Sequence, residues 1–404
     1  MATTQTAASV SGAAAPAAAA ATAFRANTQK TIKRPGVVLS TVLGAAPIPL
    51  ADTQLPPTTL LRCIYLEVTC VAAANAATVV FNPDMPLGVF STINFHDAQG
   101  TSIVGSFDSF TLAMAQKWFG FINNADPVTS AVYSATPGVG AGAGGSFTVV
   151  FRIPVEVVVR TGVGVQINTD TQSPLVLSLT VAAGTVSGNT GLYATVPTNP
   201  GTVSVVISFG GYWNQSGDPN SFATPTAIGS LNYVNWTNYT GLAGQQQFQL
   251  SNIGLGNQVM NLMFINRLTA APNLRNDAGF ANPLQVAYRG NVLGQWSQLL
   301  WKHLMSEAYD VENTIPDSGI GVNAGANSLT TGAGLGQSLN QGVYNLWFND
   351  DFVNQPGSSL FYALLNTAVG DSIELTGNWV TSSTLYEIIN FLAVSGPVSA
   401  IQGR

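Results

Sequence analysis

From Leu60 onward the chain alternates. Ile64, Leu66, Val68 and Cys70 fall on one side of an extended segment, with Glu67 and Thr69 on the other. That period of two is the mark of a strand with one face buried and one face wet. The alternation returns in Phe147, Val149, Phe151 and Ile153, in Leu175, Leu177, Leu179 and Val181, and in Val203, Val205, Ile207 and Phe209, each set interleaved with Ser, Thr or Arg. Shorter β-like runs cover Thr78–Phe81, Val89–Phe95, Thr101–Phe107, Phe248–Ile253, Val259–Leu268, Leu284–Tyr288 and Leu385–Val394. Two segments switch to a helical period. Ser109–Ile122 spaces Phe110, Met114, Trp118 and Phe121 for one short helix. Leu293–Asp310 places Trp296, Leu299, Leu300, His303 and Leu304 on one apolar helix face.

The pattern repeats loosely. Gly144 to Gly184 gives three short strand-like runs with turn residues between them, and Gln341 to Val380 gives three more. Each group follows a helix-like segment and precedes a further apolar run. The echo predicts two copies of one all-β unit. Residues 1–55 read as an N-terminal arm, 56–215 as the first unit, 216–397 as the second and 398–404 as a tail, with the turn-rich Asn214–Asn220 between the units. Seven or eight strands per unit fit a sandwich or barrel. Jelly-roll and immunoglobulin-like topologies both remain open, and the helix inside each unit favours the former.

Composition sharpens this. The 404 residues suit two domains. Only 8% are charged, against about 25% in an average globular protein. A surface built from Thr, Ser, Asn, Gln and Gly suits a subunit packed against neighbours. The charge is also uneven. Arg25, Lys30, Lys33 and Arg34 are the only ionisable residues before Asp52, so the arm carries +4. Nine basic and 19 acidic residues remain for the rest, a net of −10. The arm's cations are candidates for contact with anionic lipid or nucleic acid. Isolated, the arm is expected to be mobile, and its removal to leave the cores folded. Cys63 and Cys70 sit seven residues apart in one strand, roughly 23 Å, too far for a disulfide. No apolar run reaches the length of a membrane span. The Ala-rich start precedes the basic residues, the reverse of a signal peptide's order, so folding in a cytoplasm is expected.

Chemistry-bearing residues are sparse, and no catalytic, cofactor or metal site is expected. His96 and His303 are the only histidines and fall in different units. His303 reads as a core or interface residue of its helix, and His96-Asp97 as a strand-end turn. Asn349, Asp350 and Asp351 lack calcium-loop spacing. Gly138 to Gly145 leads into a strand without a following Lys-Ser/Thr, so it is no phosphate loop. The sequons at Asn214, Asn235 and Asn238 are what Asn/Thr-rich sequence yields by chance. Trp213, Trp236 and Tyr239 could stack on sugars, but core or subunit contact is the plainer role.

A family resemblance emerges from the order of segments. VFSTINFHDAQG is followed by FDSFTLAMAQKWFGF, FRIPVEV and VISFGGYW; the second unit offers VLGQWSQLLWKHLMSEAYDVE, GVYNLWFND and LYEIINFLAV. From Leu60 to Val394 this resembles the double jelly-roll major capsid proteins of the tectivirus type, found in membrane-containing icosahedral bacterial viruses. The resemblance implies an all-β chain of two eight-stranded jelly rolls, each with a short helix insertion, and an extended arm. It implies a structural protein rather than an enzyme. Such proteins form homotrimers that act as pseudo-hexagonal blocks of a shell, with minor capsid and vertex proteins as further partners, an internal lipid membrane facing the arm, and no sequence-specific nucleic acid. The location implied is the virion, after synthesis in the host cytoplasm. The alternative is a β-sandwich receptor- or glycan-binding module of spike or adhesin type.

Overall fold

Three of the four alternating runs lie side by side. Thr58–Val71 pairs antiparallel with Ser146–Pro154 on one side and Thr202–Asn214 on the other. The fourth, Val176–Val181, pairs with Phe90–His96, which pairs with Ser102–Phe107. These two sheets face each other. Every residue of the four predicted apolar sets is buried, and Phe90 meets Phe151 across the gap with ring centroids 6.1 Å apart. The period of two thus does what it predicts: the apolar face of each strand closes one sandwich core. The computed structural model describes residues 28–33, 38–55, 58–72, 79–96, 100–119, 132–136, 145–156, 165–168, 174–184, 191–195, 201–214, 231–249, 258–277, 279–309, 341–348, 365–366 and 373–393.

From Thr28 onward, the stretch expected to be a mobile arm is built into these sheets. Thr28–Lys33 and Val38–Val42 pair in succession with Thr202–Asn214. Ile48–Pro49 and Thr53–Gln54 pair with Val176–Val181 in the facing sheet. Leu43 and Leu55 lie in the core. The segment therefore clips an edge of both sheets. Pro35, Gly36, Gly44, Pro47 and Pro49 cut the sequence into short runs, which hides this, because an edge strand adds its ladder of backbone hydrogen bonds without a long alternating run.

The first helix, α1, spans Ser109–Trp118. Asp108 caps it, accepting a hydrogen bond from the Thr111 amide at 2.6 Å. All ten of its residues are buried. The second half is organised by two long antiparallel strands, Leu231–Gln249 and Ile373–Ala393. Their register breaks between Thr240 and Gly244, where Gly244 has φ +79°; the bulge bends the pair. As a result Gln258–Leu268 pairs with the later part of Ile373–Ala393, and Leu284–Tyr288 with its start. Two separately predicted runs are thus one bent strand. The halves share one hydrogen-bonded sheet through Val104 and Val234.

The second predicted helix is corrected in both extent and facing. Asn291–Trp296 is a strand, returning on Leu284–Tyr288 through Arg289 and Gly290. Both turn residues have positive φ, the backbone of a tight hairpin turn. Helix α2 begins at Gln298 and ends at Tyr309. Trp301 and Met305 form its buried side. Trp301 donates its indole N–H to the Asn345 carbonyl at 2.7 Å, and the Lys302 ammonium donates to the Val343 carbonyl at 2.7 Å. The predicted face points outward instead: Leu299 is 85% exposed, Leu300 45% and Leu304 38%, and His303 is exposed. Both sides of the helix carry apolar residues, so periodicity alone cannot choose between them. The polar reach of Trp301 and Lys302 onto strand Val343–Trp347 does.

Candidate assembly surfaces and the seam between the halves

Three groups of residues from separate parts of the sequence meet at the seam. Asp84 sits in a turn with φ +69°. Its carboxylate accepts from Arg267 Nη1 at 2.5 Å and from Arg275 Nε at 2.9 Å. All three side chains are nearly sealed from solvent. Both guanidinium groups lie near the Phe110 ring, Arg267 at 5.4 Å and Arg275 at 4.7 Å. Arg275 also donates to the Gln341 carbonyl. Burial pulls Arg267 toward losing its proton, but Asp84 and Asp108 reverse this and hold its pKa above the ordinary value. A second contact crosses the seam nearby. The Trp347 indole N–H donates to the Trp118 carbonyl at 2.7 Å, capping the end of α1.

A cavity of about 320 Å³ opens beside this cluster, lined by Asp84, Asp108, Phe110, Arg267 and Tyr386 among others. Its size suits a small molecule, yet its charges are committed. Asp84 holds two arginines and Asp108 caps α1. The arrangement binds two halves together rather than presenting a base, a nucleophile or an acid.

Glu387 is fully buried on the bent strand. The Tyr239 hydroxyl donates to one carboxyl oxygen at 2.9 Å, and the other has no hydrogen-bond partner among the described residues. Burial pushes its pKa up from the ordinary 4.5 to about 8, against the pull of the Tyr239 hydrogen bond. Between those values the folded chain keeps a proton that the unfolded chain has released. Stability therefore falls as pH rises through that window and levels off above it. Glu387→Gln keeps the shape without the charge. It is expected to flatten this fall and raise the melting temperature above pH ~8. Thermal melts at a series of pH values check this; an unchanged slope would remove Glu387 as the cause.

The remaining sequence candidates are dispersed. His96 lies in strand Phe90–His96, opposite Val176 and Ser102. His303 is on α2 in the other half. Asp97, Asn349, Asp350, Asp351 and residues 138–144 lie outside the described residues, while Gly145 has φ +92° and its carbonyl accepts from the Tyr193 hydroxyl. Tyr239 is engaged with Glu387 and the Gln249 carbonyl. Asn214, Asn235 and Asn238 lie in strands Thr202–Asn214 and Leu231–Gln249, as do Trp213 and Trp236. Cys63 and Cys70 are free and buried, and burial pushes the Cys70 thiol up to about 11. Among the described residues no three His, Cys, Asp or Glu gather as metal ligands, and no helix is long and apolar enough to cross a membrane. Of the basic arm residues, Lys30 is exposed on the edge strand Thr28–Lys33, Lys33 ends that strand, and Arg25 and Arg34 lie outside the described residues.

Two surfaces stand out. The first is the outer face of the first half's sheet. Register places Val42, Thr202 and Val71 in one row, and Val38, Val206, Glu67 and Val150 in another, with Ser and Thr between. Val71 is 71% exposed, and Val38 and Val42 are 56%. A solvated sheet face normally carries charge; these two rows hold one carboxylate. The second surface is the leucine face of α2.

No protein-family model matches the chain, and no curated protein matches it. Solved structures do. The chain aligns with the structure titled "Life in the extremes: atomic structure of Sulfolobus Turreted Icosahedral Virus" at a TM-score of 0.58 and 13% identity, over 93% of this chain and 96% of the other. It aligns with "Crystal Structure of the STIV MCP" at 0.54 and 12%, over 90% and 97%. It aligns with "PBCV-1 virus capsid, quasi-atomic model" at 0.51 and 11%, over 92% and 97%. The chain has the double jelly-roll fold. At these identities the likeness is one of architecture, and it spans both halves. It also decides the topology that the strand count leaves open. The double jelly roll places the Asp84 cluster between the two rolls, with the valine-rich sheet face on the first roll and α2 on the second.

Proposed function

We propose that this chain is a major capsid protein. Three copies form a pseudo-hexagonal block, and blocks tile an icosahedral shell. The observation that carries this reading is the double jelly-roll architecture shared end to end with viral coat chains. The surface agrees with it. A chain with so few charges and with broad uncharged faces loses little by burying them, as obligate contacts require. Two similar rolls per chain let a three-fold block approximate six-fold packing. On this reading residues 56–215 and 216–397 are the two rolls, preceded by the 1–55 segment and followed by the 398–404 tail. Arg25, Lys30, Lys33 and Arg34 face anionic headgroups of an internal membrane. Minor capsid and vertex proteins are the further partners, and the protein is made in the host cytoplasm before entering the virion. The committed charges at the seam and the scattered histidines support a structural role over an enzymatic one.

Light scattering on the purified chain is the first test. The expected native mass is three times the 42.0 kDa chain, and concentrated or vesicle-supplemented samples are expected to give hexagonally tiled sheets or shells by electron microscopy. A stable monomer that binds glycans would instead favour a receptor-binding sandwich.

A further inference from the structure

The seam cavity has one charge left to offer. On its wall Asp84 and Arg267 are bonded to each other, and the Ser91 hydroxyl donates to the Thr180 carbonyl at 3.4 Å. Asp108 differs. Its Oδ1 accepts from the Thr111 amide, while its Oδ2 takes no hydrogen bond among the described residues. Among those residues two carboxylates and one guanidinium line the cavity, a net charge of −1. Arg275, the other cation of the cluster, is sealed and does not line it. The rest of the described wall is largely apolar, with Pro83, Met85, Phe110, Ala182 and the Tyr386 ring. Met85 lies across Gly88, where a Cβ would sit 2.7 Å from the Met85 Cε; an unbranched thioether makes that wall adjustable. Burial holds the Tyr386 hydroxyl above its ordinary pKa, against the pull of Arg267, so it stays a neutral phenol that can donate or accept.

An apolar pocket of ~300–1,000 Å³ with a few convergent polar groups is the usual form of a small-molecule site, and about 320 Å³ lies at the small end. The lining charge selects among ligands. An anion would face Asp84 and Asp108, with Arg267 already engaged. A neutral apolar molecule would cover the Asp108 carboxylate without giving it a donor, which costs free energy. A cation supplies a charge-assisted hydrogen bond at that oxygen. We propose that the seam cavity binds a small organic cation, a primary ammonium on a short apolar body, with the ammonium on Asp108 Oδ2 and the body against Phe110, Met85 and Tyr386. Asp108 and Phe110 belong to the first half, Arg267 and Tyr386 to the second. The site is therefore complete only when the halves are docked, and its ligand stabilises the docked arrangement by mass action. The proposal goes beyond the capsid-block reading and does not depend on it, because every wall of the site comes from one chain.

The test uses the full-length chain and three probes of similar shape: phenethylamine, phenethyl alcohol and phenylacetate. Titration calorimetry and thermal melts read their binding. The amine is expected to bind saturably and to raise the melting temperature by a few degrees at about a hundredfold excess over its Kd. The alcohol and the carboxylate are expected to shift it far less. Asp108→Asn keeps a side chain that caps α1 and removes the charge. It is expected to weaken the amine about tenfold or more, the worth of one charge-assisted hydrogen bond, and to leave the alcohol unchanged. Ser91→Leu puts a larger side chain into the cavity and is expected to abolish amine binding with Asp108 intact. Each shift is read against the same variant without probe, so a change in basal stability does not enter. Equal responses to amine and alcohol overturn the proposal, as does an Asp108→Asn chain that binds the amine like the parent. The absence of a saturable response at millimolar amine overturns it as well. Light scattering on the parent tests the capsid-block reading separately: a monomer that binds the amine sinks that reading and leaves the site standing.

Discussion

Asp84→Asn is expected to cost the folded chain about 3–5 kcal/mol, the usual penalty for leaving buried charge without its partner. The reason is the arithmetic of charge at the seam. Arg267 and Arg275 share one carboxylate, and both guanidinium groups are nearly sealed from water. Removing the anion leaves two buried cations close together, with Asp108, Asp277 and the Phe110 ring nearby to offset them in part. Asn suits the positive φ at this position, so the substitution isolates charge from backbone strain. Arg267→Met is expected to cost clearly less. It leaves Asp84 and Arg275 as a balanced pair, and a methionine fills the space beside Phe110. Denaturant unfolding of both variants checks the order of the two effects. Equal losses, or a loss under about 1 kcal/mol for Asp84→Asn, would mean that the cluster is better hydrated than its burial indicates. Because the cluster ties residues far apart in sequence across the seam, the loss is also expected to reduce the cooperativity of unfolding between the halves.

Deleting residues 1–55 is expected to abolish a stably folded first half. Sequence composition predicts the opposite, since the stretch looks like a detachable arm. The structure places its strands on the edges of two facing sheets. Burial of Leu43 and Leu55 alone contributes roughly 2–3 kcal/mol each, and removal exposes the flanks of Thr202–Asn214 and Val176–Val181. Open strand edges template aggregation, so the truncated chain is expected to be insoluble or to lack a cooperative melt. Deleting residues 1–27 removes none of these strands and is expected to leave the melting temperature within a few degrees of the parent. Circular dichroism melts of the two truncations decide the matter. If the longer deletion melted like the parent, the edge strands would contribute nothing to the fold.

The legibility of this chain follows from which interactions are local. A strand that buries one face writes its fate in alternate residues, so the core sets built on Ile64, Phe147, Leu175 and Val203 could be read directly, as could the helix that Asp108 caps. The edge strands could not. Val38–Val42 contributes backbone hydrogen bonds and few buried side chains, and backbone groups are the same in every sequence. The Leu231–Gly244 stretch is rich in Tyr, Trp and Asn, and its extended form depends on its partner Ile373–Ala393, more than a hundred residues away. Periodicity gives the wrong facing for α2 because Leu299, Leu300 and Leu304 outnumber Trp301 and Met305, while the choice rests on hydrogen bonds to Val343 and Asn345 that no helical period encodes. The Asp84 cluster left no signal at all: its three members are ordinary charged residues until folding brings them within hydrogen-bonding distance.

By itself, then, the sequence determined the all-β character, the two-fold internal echo, the placement of a helix within each half and the scarcity of charge, because all of these are properties of neighbouring residues or of composition. The tertiary structure alone decided that Thr28–Lys33 and Val38–Val42 join the first half's sheet, that the halves are pinned by one carboxylate between two arginines, and that a valine-rich sheet face and a leucine-rich helix face point outward. Those features depend on distances between segments remote in sequence, and only the packed chain sets such distances.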